Sequence, residues 1–262
     1  MECTTGFRVT TKQTYTTNAI NLKSYPLKES DKIVVMYSKD KGLIRAVARG
    51  IKKPKSSLGA RMDAFIANNL LLAKGRSMDV VSQAETINSF GETRKDLDKI
   101  FYSMYLTEIV SNFGVENDPC SKETYELLYS ALKTIAQSKD KREILLAVLK
   151  FQLKMMYISG FSPEFSTCLR CGEKVDNGGY FMLHEGGIIC ENCIADTFGK
   201  LKIHGKILEF LNYLVNSEFE AQTFFEERAT EKVCEVCFNL LKQCIEYHSS
   251  KRIKTTDLIG AI

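Results

Sequence analysis

Two Cys-x-x-Cys pairs constrain the fold of this chain more than any other feature of its sequence. The first pair is Cys168 and Cys171, and the second, after an insert of eighteen residues, is Cys190 and Cys193. The short loop within each pair lets both sulfurs reach one ion, and doubled pairs at this separation are typical of four-thiolate zinc sites. Since all four ligands are thiols, no coordination position is left for a catalytic water. The spacing therefore predicts a structural Zn²⁺.

The insert between the pairs has the layout of a zinc ribbon. Gly172 relieves the backbone where the first loop doubles back, and Gly178-Gly179 and Gly186-Gly187 are turn signals. The residues between these turns, 180–184, have the character of a strand. We expect a ribbon over residues 164–198.

Two other interpretations of the cysteines are four reduced thiols without metal, and redox-active dithiols. A redox dithiol usually opens a helix in a thioredoxin-like unit, and no such unit surrounds either pair. His184 lies within the insert and could replace a thiol as ligand, although four cysteines already fill the site. A further set of thiols falls on one face of a helical segment, beside leucines, and is interpreted as buried and structural: Cys234, Cys237 and Cys244.

The composition is that of an ordinary globular chain. Hydrophobic residues make up 44% of its 262 residues and charged residues 26%. No apolar run approaches the roughly 20 residues that span a bilayer, and residues 1–17 lack the apolar centre of a signal peptide. We therefore expect a cytoplasmic protein without membrane contact, in which nine cysteines are metal ligands or buried thiols rather than disulfides.

The N-terminal third predicts a small β-barrel. After a Thr-rich extension, 1–14, five short strand-like segments are joined by hairpin turns within 15–88. This count fits an OB-fold, a five-stranded barrel, and also fits other five-stranded barrels such as SH3-like ones. The expected strands are 16–24, 33–37, 43–48, 65–73 and 78–84.

Basic residues are concentrated between the third and fourth expected strands. Seven cations and no acid lie between residues 41 and 61, and Gly50 and Pro54 keep the segment from forming a helix. This concentration favours binding of a phosphate backbone over a merely solvated loop. Tyr25, Tyr37 and Phe65 are candidate base-stacking residues. The candidate phosphate contacts are Lys41, Arg45, Arg49, Lys52, Lys53, Lys55 and Arg61, with Arg76 on a later turn.

Helical periodicity begins at about residue 92. Three helices are predicted within 89–163, the second opened by Ser121 as a cap, and two more within 199–262 that pack on this bundle. The basic tail, 249–262, is expected to be flexible. The sequence contains no convincing Ser/His/Asp set, phosphate-cradling loop or paired-carboxylate motif, so we expect no enzymatic activity.

The order of these parts resembles the RecO family of bacterial DNA-repair proteins. Residues 19–34 and 41–56 are similar to the start of that family, and residues 160–172 and 186–190 are similar to its ribbon and the lead-in to it. The resemblance covers about residues 15–248. It implies an α+β fold with an N-terminal five-stranded OB-fold barrel, a helical bundle and an inserted four-cysteine zinc ribbon.

The resemblance also implies a nucleoid-associated recombination mediator. Proteins of this family bind single-stranded and double-stranded DNA and anneal complementary strands, including strands coated by single-strand-binding protein. With RecR, and in some pathways RecF, they help to load RecA onto coated DNA. Some members lack the four cysteines, which implies a scaffolding role for the zinc.

Three other functions remain compatible with the residues. The barrel and ribbon would also suit an RNA-binding or transcription-associated protein. A thiol-redox enzyme would use Cys168 with Cys171, or Cys234 with Cys237, and would have a depressed thiol pKa and no metal. A purely structural adaptor would bind no nucleic acid at low salt.

Overall fold

The computed structural model describes residues 13–53, 56–194, 199–217 and 229–259 of the chain. Lys55 and nearly all of the predicted extension, 1–14, lie outside these residues. The described chain is mixed α+β, with a β-barrel, a group of helices, and a small sheet beside the cysteine pairs.

The N-terminal strands form the predicted barrel. Their bounds are β1 Thr14–Pro26, β2 Lys32–Ser38, β3 Gly42–Ala48, β4 Ala67–Ala73 and β5 Asp79–Asn88. The barrel closes in the order β1-β2-β3-β5-β4, with β3 and β5 parallel and β1 and β4 antiparallel. This order confirms the OB-fold prediction.

The barrel wall is buried on both faces at β2. In β2, Val34 and Met36 join the core inside the barrel, whereas Val35 and Tyr37 join the core shared with the helices. Because successive side chains point to opposite faces of a strand, β2 is a continuous apolar run and not an alternation. The sequence of the strand thus reflects a barrel covered by helices.

Three helices follow the barrel: α1 Leu97–Phe113, α2 Ser121–Gln137 and α3 Lys141–Ile158. Asp96 and Asp140 cap α1 and α3 by accepting backbone N–H groups at 3.1 and 2.8 Å. The predicted cap at Ser121 is wrong. Ser121 is the first residue of α2, and the residue in the cap position is Cys120, whose side chain makes no capping hydrogen bond.

The C-terminal helices are α4 Gly205–Asn216, α5 Glu231–Ser249 and α6 Thr256–Ile259. The predicted burial of the α5 thiols is confirmed, and burial raises the pKa of Cys237 and of Cys244 to about 12.

Among the described helices, none combines the length and apolar character needed to cross a membrane.

The first part of the basic tail makes specific contacts with α1. The carboxylate of Glu108 on α1 accepts the backbone N–H groups of Lys254 and Thr255, and Ile253 is fully buried. A single acid on α1 therefore fixes the start of α6.

The cysteine pairs adjoin an antiparallel sheet of order β7-β6-β8. Its strands are β6 Gly178–Met182, β7 Gly187–Ile189 and β8 Lys200–His204. The sheet continues past residue 198, where the sequence placed the end of the ribbon. Phe181 of β6 packs on Phe165 at 5.2 Å between ring centroids, which ties the sheet to the chain that enters it from α3.

Candidate metal centre and nucleic-acid interface

The four cysteines of the doubled pairs converge on one point. Their sulfur atoms all lie within 4.8 Å of one another, and Cys171 Sγ and Cys190 Sγ are 3.9 Å apart. A tetrahedron with metal–sulfur bonds of about 2.3 Å requires sulfur–sulfur distances of about 3.8 Å. The arrangement therefore fits a tetrahedral metal ion held by four thiolates.

The backbone around the first pair favours a thiolate. Cys168 Sγ accepts the N–H groups of Arg170 and Cys190, each at 3.4 Å. Burial of the thiol works against the charged form, but these donors outweigh it and lower the pKa of Cys168 to about 6. Gly172, at φ +75°, donates its N–H to the Cys168 carbonyl at 2.9 Å, closing the turn that aims both sulfurs inward.

Two alternatives for this site fit the geometry less well. His184 places Nε2 3.2 Å from the Glu185 carboxylate and is not part of the sulfur cluster. A redox dithiol needs an accessible nucleophile, yet Cys168, the thiol with the lowered pKa, is only 2% exposed.

The structure divides the predicted phosphate-binding cations into two groups. The first group lines an open cleft of ≈ 360 Å³ at the start of β3. Three of the predicted residues lie there, together with Lys74, which the sequence analysis missed. We name this the cleft group: Lys41, Arg45, Lys74 and Arg76.

The second group lies on the chain that follows β3. We name it the loop group: Arg49, Lys52, Lys53 and Arg61, all exposed. Gly50 donates its N–H to the Asp31 carboxylate at 2.8 Å, and the side-chain amides of Asn21 and Asn68 each donate to the Arg61 carbonyl at 2.8 Å. These anchors fix the backbone while the cationic side chains stay exposed, although the Arg61 guanidinium also donates to the Ser57 carbonyl at 2.7 Å. The predicted Lys55 lies outside the described residues.

The two groups lie at opposite ends of one strand. β3 separates Lys41 from Arg49, and at about 3.3 Å per residue it is about 23 Å long. The cations therefore do not form a single cluster. A separation of this size spans several nucleotides of a strand.

The fold also brings acids to the cleft. Residues 41–61 contain none, but Glu116, from the α1–α2 loop, lies 3.5 Å from Arg45, and Asp79 opens β5. Asp79 accepts the Tyr15 hydroxyl at 2.5 Å, and burial followed by this hydrogen bond raises the pKa of Tyr15. The positive field at the cleft is thus weaker than the local sequence indicates.

The three candidate base-stacking residues differ in their burial. Tyr37 and Phe65 belong to the core, so neither can stack on a base, whereas Tyr25 is 48% exposed. The structure adds Tyr15, whose ring centroid lies 4.9 Å from the Lys41 ammonium in the cleft. No local sequence signal distinguishes Tyr15, because its neighbours in the cleft come from β3 and the β4–β5 turn.

Comparison with known families and proteins gives consistent matches over nearly the whole chain. Residues 12–90 match the family model described as Recombination protein O N terminal, and residues 94–257 match Recombination protein O C terminal. The chain is 32% identical over 249 residues to a DNA repair protein RecO of Desulforamulus reducens, covering 95% of this chain and 94% of that protein.

Other relatives carry the same name. The chain is 32% identical to DNA repair protein RecO of Acetivibrio thermocellus, with coverage of 93% of this chain and 97% of that protein. It is 36% identical to DNA repair protein RecO of Nostoc punctiforme, with coverage of 74% of this chain and 66% of that protein. Together with the barrel, the helices and the cysteine cluster, these matches show that the chain belongs to the RecO family and has a role in DNA repair and recombination.

Proposed function

We propose that this protein is a recombination mediator that binds single-stranded and double-stranded DNA and anneals complementary strands. The observation that carries the proposal is the pair of cation groups, the cleft group and the loop group, at the two ends of β3 of an OB-fold barrel. Phosphate neutralisation by lysine and arginine supplies most of the affinity of sequence-independent DNA binding. The family membership of the chain supports DNA as the nucleic acid.

The proposed phosphate contacts are the cleft group and the loop group, with Lys55 between Lys53 and Arg61. Annealing requires no bond chemistry. Two phosphate backbones repel each other, and a cationic surface that holds one strand lowers the cost of bringing up the second. Base pairing then supplies the driving force. We accordingly assign no catalytic residue.

We propose Zn²⁺ as the ion of the four-cysteine cluster, because thiolate ligands and tetrahedral geometry suit zinc. When bound, the ion supplies a crosslink between the two cysteine pairs and no reaction. Cys168, Cys171, Cys190 and Cys193 would hold it, and the N–H groups of Arg170 and Cys190 orient the buried thiolate. The ribbon then serves as a rigid scaffold.

The partners that we propose are single-strand-binding protein, whose coated DNA is the substrate, RecR as co-mediator, and RecA as the protein loaded. RecF takes part in some pathways. We further propose the predicted division of the chain at residues 15–88, 89–163, 164–198 and 199–262, with the end of the ribbon moved to residue 204 to include β8, and the nucleoid as its place of action.

Annealing of two complementary oligonucleotides tests the proposal. Each strand is coated with the cognate single-strand-binding protein, and duplex formation is followed by energy transfer with and without this protein, without nucleotide. We expect faster annealing. Unchanged rates with folded, metal-loaded protein would overturn the proposal, and preferential binding of RNA in a competition would favour the RNA-binding alternative.

A further inference from the structure

The outer face of the ribbon sheet carries an aromatic ring between lysines. On β6, Tyr180 is half-buried, and Lys200 Nζ and Lys202 Nζ lie 5.6 and 5.7 Å from the centroid of its ring. Lys202 is directly opposite Tyr180 in the strand pairing. The ring and the two ammoniums therefore form one small surface, which we name the ribbon face: Tyr180, Lys200, Lys202 and His204.

Strand alternation explains the exposure of the β8 residues of this surface. Phe181, Ile188 and Ile203 are buried on the opposite side of the sheet. Residues of β8 alternate accordingly, so that Lys200, Lys202 and His204 are exposed while Ile203 is buried. The open part of this side is confined to Tyr180 and the β8 lysines, because Met182 and Ile189, on the same side of the sheet as Tyr180, are buried.

We propose that the ribbon face binds single-stranded nucleic acid, with a base on Tyr180 and phosphates on the two lysines. This binding rests on the proposed annealing function and deepens it: the barrel cations hold one strand, and the ribbon face holds the second. The site is separate from the barrel, since it is formed entirely by β6 and β8.

The chemistry of the face favours a nucleic acid over an acidic peptide. Successive residues on one face of a strand lie about 7 Å apart, so Lys200 and Lys202 can contact different phosphates of one strand. An exposed cation–π contact is weaker than the stacking of a base on an aromatic ring, so the lysines can leave the ring for phosphates. At Lys202 the carboxylate of Glu191 competes at 3.6 Å, but both side chains are more than half exposed, so the pair is weak.

The chain contains no tryptophan, which makes a direct assay available. Tyr180→Trp places a single indole in the ribbon face, and an oligo-dT strand is titrated against its fluorescence. We expect quenching by oligo-dT and little change with an abasic strand of the same length. Equal responses to the abasic strand or to polyglutamate would mean recognition of charge alone and would overturn the stacking proposal.

A charge-reversal pair tests the role of the face. Lys200→Glu/Lys202→Glu should slow annealing roughly tenfold and reduce the number of strands bound per protein, while the affinity for the first strand stays unchanged. The matched control is Lys133→Glu/Lys139→Glu, on exposed positions before the start of α3, a helix of 18 residues and about 27 Å whose other end leads toward the ribbon.

The outcomes separate this inference from the proposed function. If the wild-type protein anneals and the ribbon-face pair anneals equally fast, the ribbon face is not a strand site while the proposed function stands. If the wild-type protein itself fails to anneal, the proposed function fails. Quenching of the indole in the Tyr180→Trp variant by oligo-dT would still establish the ribbon face as a binding site in that case.

Discussion

The hydroxyl of Tyr37, inside the wall of the barrel, donates a hydrogen bond to the carboxylate of Asp118 at 2.7 Å. Tyr37 is fully buried, and burial, together with the neighbouring carboxylate, raises its pKa. We expect Tyr37→Phe to lower the free energy of unfolding by about 1–2 kcal/mol, because the half-buried Asp118 carboxylate loses a donor and the hydrogen bond of a buried hydroxyl is removed. Urea denaturation measures this effect. Tyr25→Phe, at an exposed position, is the control, and equal stability of the two variants would contradict the prediction.

Gly42, at the start of β3, has no room for a side chain. Its φ is +66°, and an added Cβ would lie 2.4 Å from the carbonyl oxygen of Val115. Gly160 offers a control, because its φ is +82° but no atom lies within 4 Å of its Cβ position. We expect Gly160→Ala to cost about 1–2 kcal/mol from the backbone alone, and Gly42→Ala to cost more. The difference between the melting temperatures of the two variants gives the destabilisation that comes from the steric contact at Gly42. A smaller loss of stability for Gly42→Ala than for Gly160→Ala would refute this steric contribution.

Reversal of the loop cations should remove DNA binding without unfolding the protein. In Lys52→Glu/Lys53→Glu/Lys55→Glu, the slope of log affinity against log salt should flatten by about three units, and annealing should be lost. Fluorescence anisotropy at several salt concentrations gives the slope. Lys122→Glu/Lys133→Glu/Lys139→Glu carries the same charge change on exposed residues of α2 and its end. Unchanged affinity with normal circular dichroism would remove the loop group from the interface.

Glu116 should restrain DNA binding at the cleft. Its carboxylate lies 3.5 Å from Arg45, and both side chains are more than half exposed. Glu116→Gln frees Arg45 for phosphate, and we expect a gain in affinity of about two- to fivefold at low salt, which fades as salt screens the pair. Glu92→Gln changes the net charge equally at a pair with Lys95, away from the cleft. If both variants gain equally, net charge and not the Arg45 contact is responsible.

Loss of one thiolate should release the proposed zinc. We expect Cys190→Ser to abolish the binding of one metal per chain, measured by elemental analysis, and to loosen the sheet formed by β6, β7 and β8, measured by hydrogen exchange. The protection of the barrel amides should remain. Cys120→Ser is the control because that thiol lies outside the cluster. Retention of the metal by Cys190→Ser would exclude the four-thiolate site.

The elements of this fold were predictable where local chemistry specifies them. The cysteine spacing led directly to the sulfur cluster, because each short loop forces its two thiols together. The five strands were recognisable from β-branched runs and hairpin turns, although their ends differ by a few residues. The burial of Tyr37 was not recognisable, since an aromatic residue in a barrel strand can face the core, the helices or solvent.

Features that depend on distant residues were missed. Glu116 and Tyr15 reach the cleft from positions far after and far before Arg45 in the chain, beyond the span of any local sequence pattern. Likewise, the contact of the tail with the helices depends on the carboxylate of Glu108 on α1, which accepts the N–H groups of Lys254 and Thr255 and is far from them in the sequence. Because Glu116 is far from Arg45 in the sequence, a count of cations along residues 41–61 overestimates the positive electrostatic field at the folded cleft.

The α1–α2 loop lies against the start of β3. Leu43 donates its N–H to the Val115 carbonyl at 2.9 Å, and Asn117 donates to the Lys41 carbonyl at 2.7 Å. A fragment that stops at residue 88 would lose both partners and would expose apolar residues on the outer wall of the barrel. We expect such a fragment to aggregate, so the nucleic-acid affinity of the barrel cannot be measured by expressing it alone.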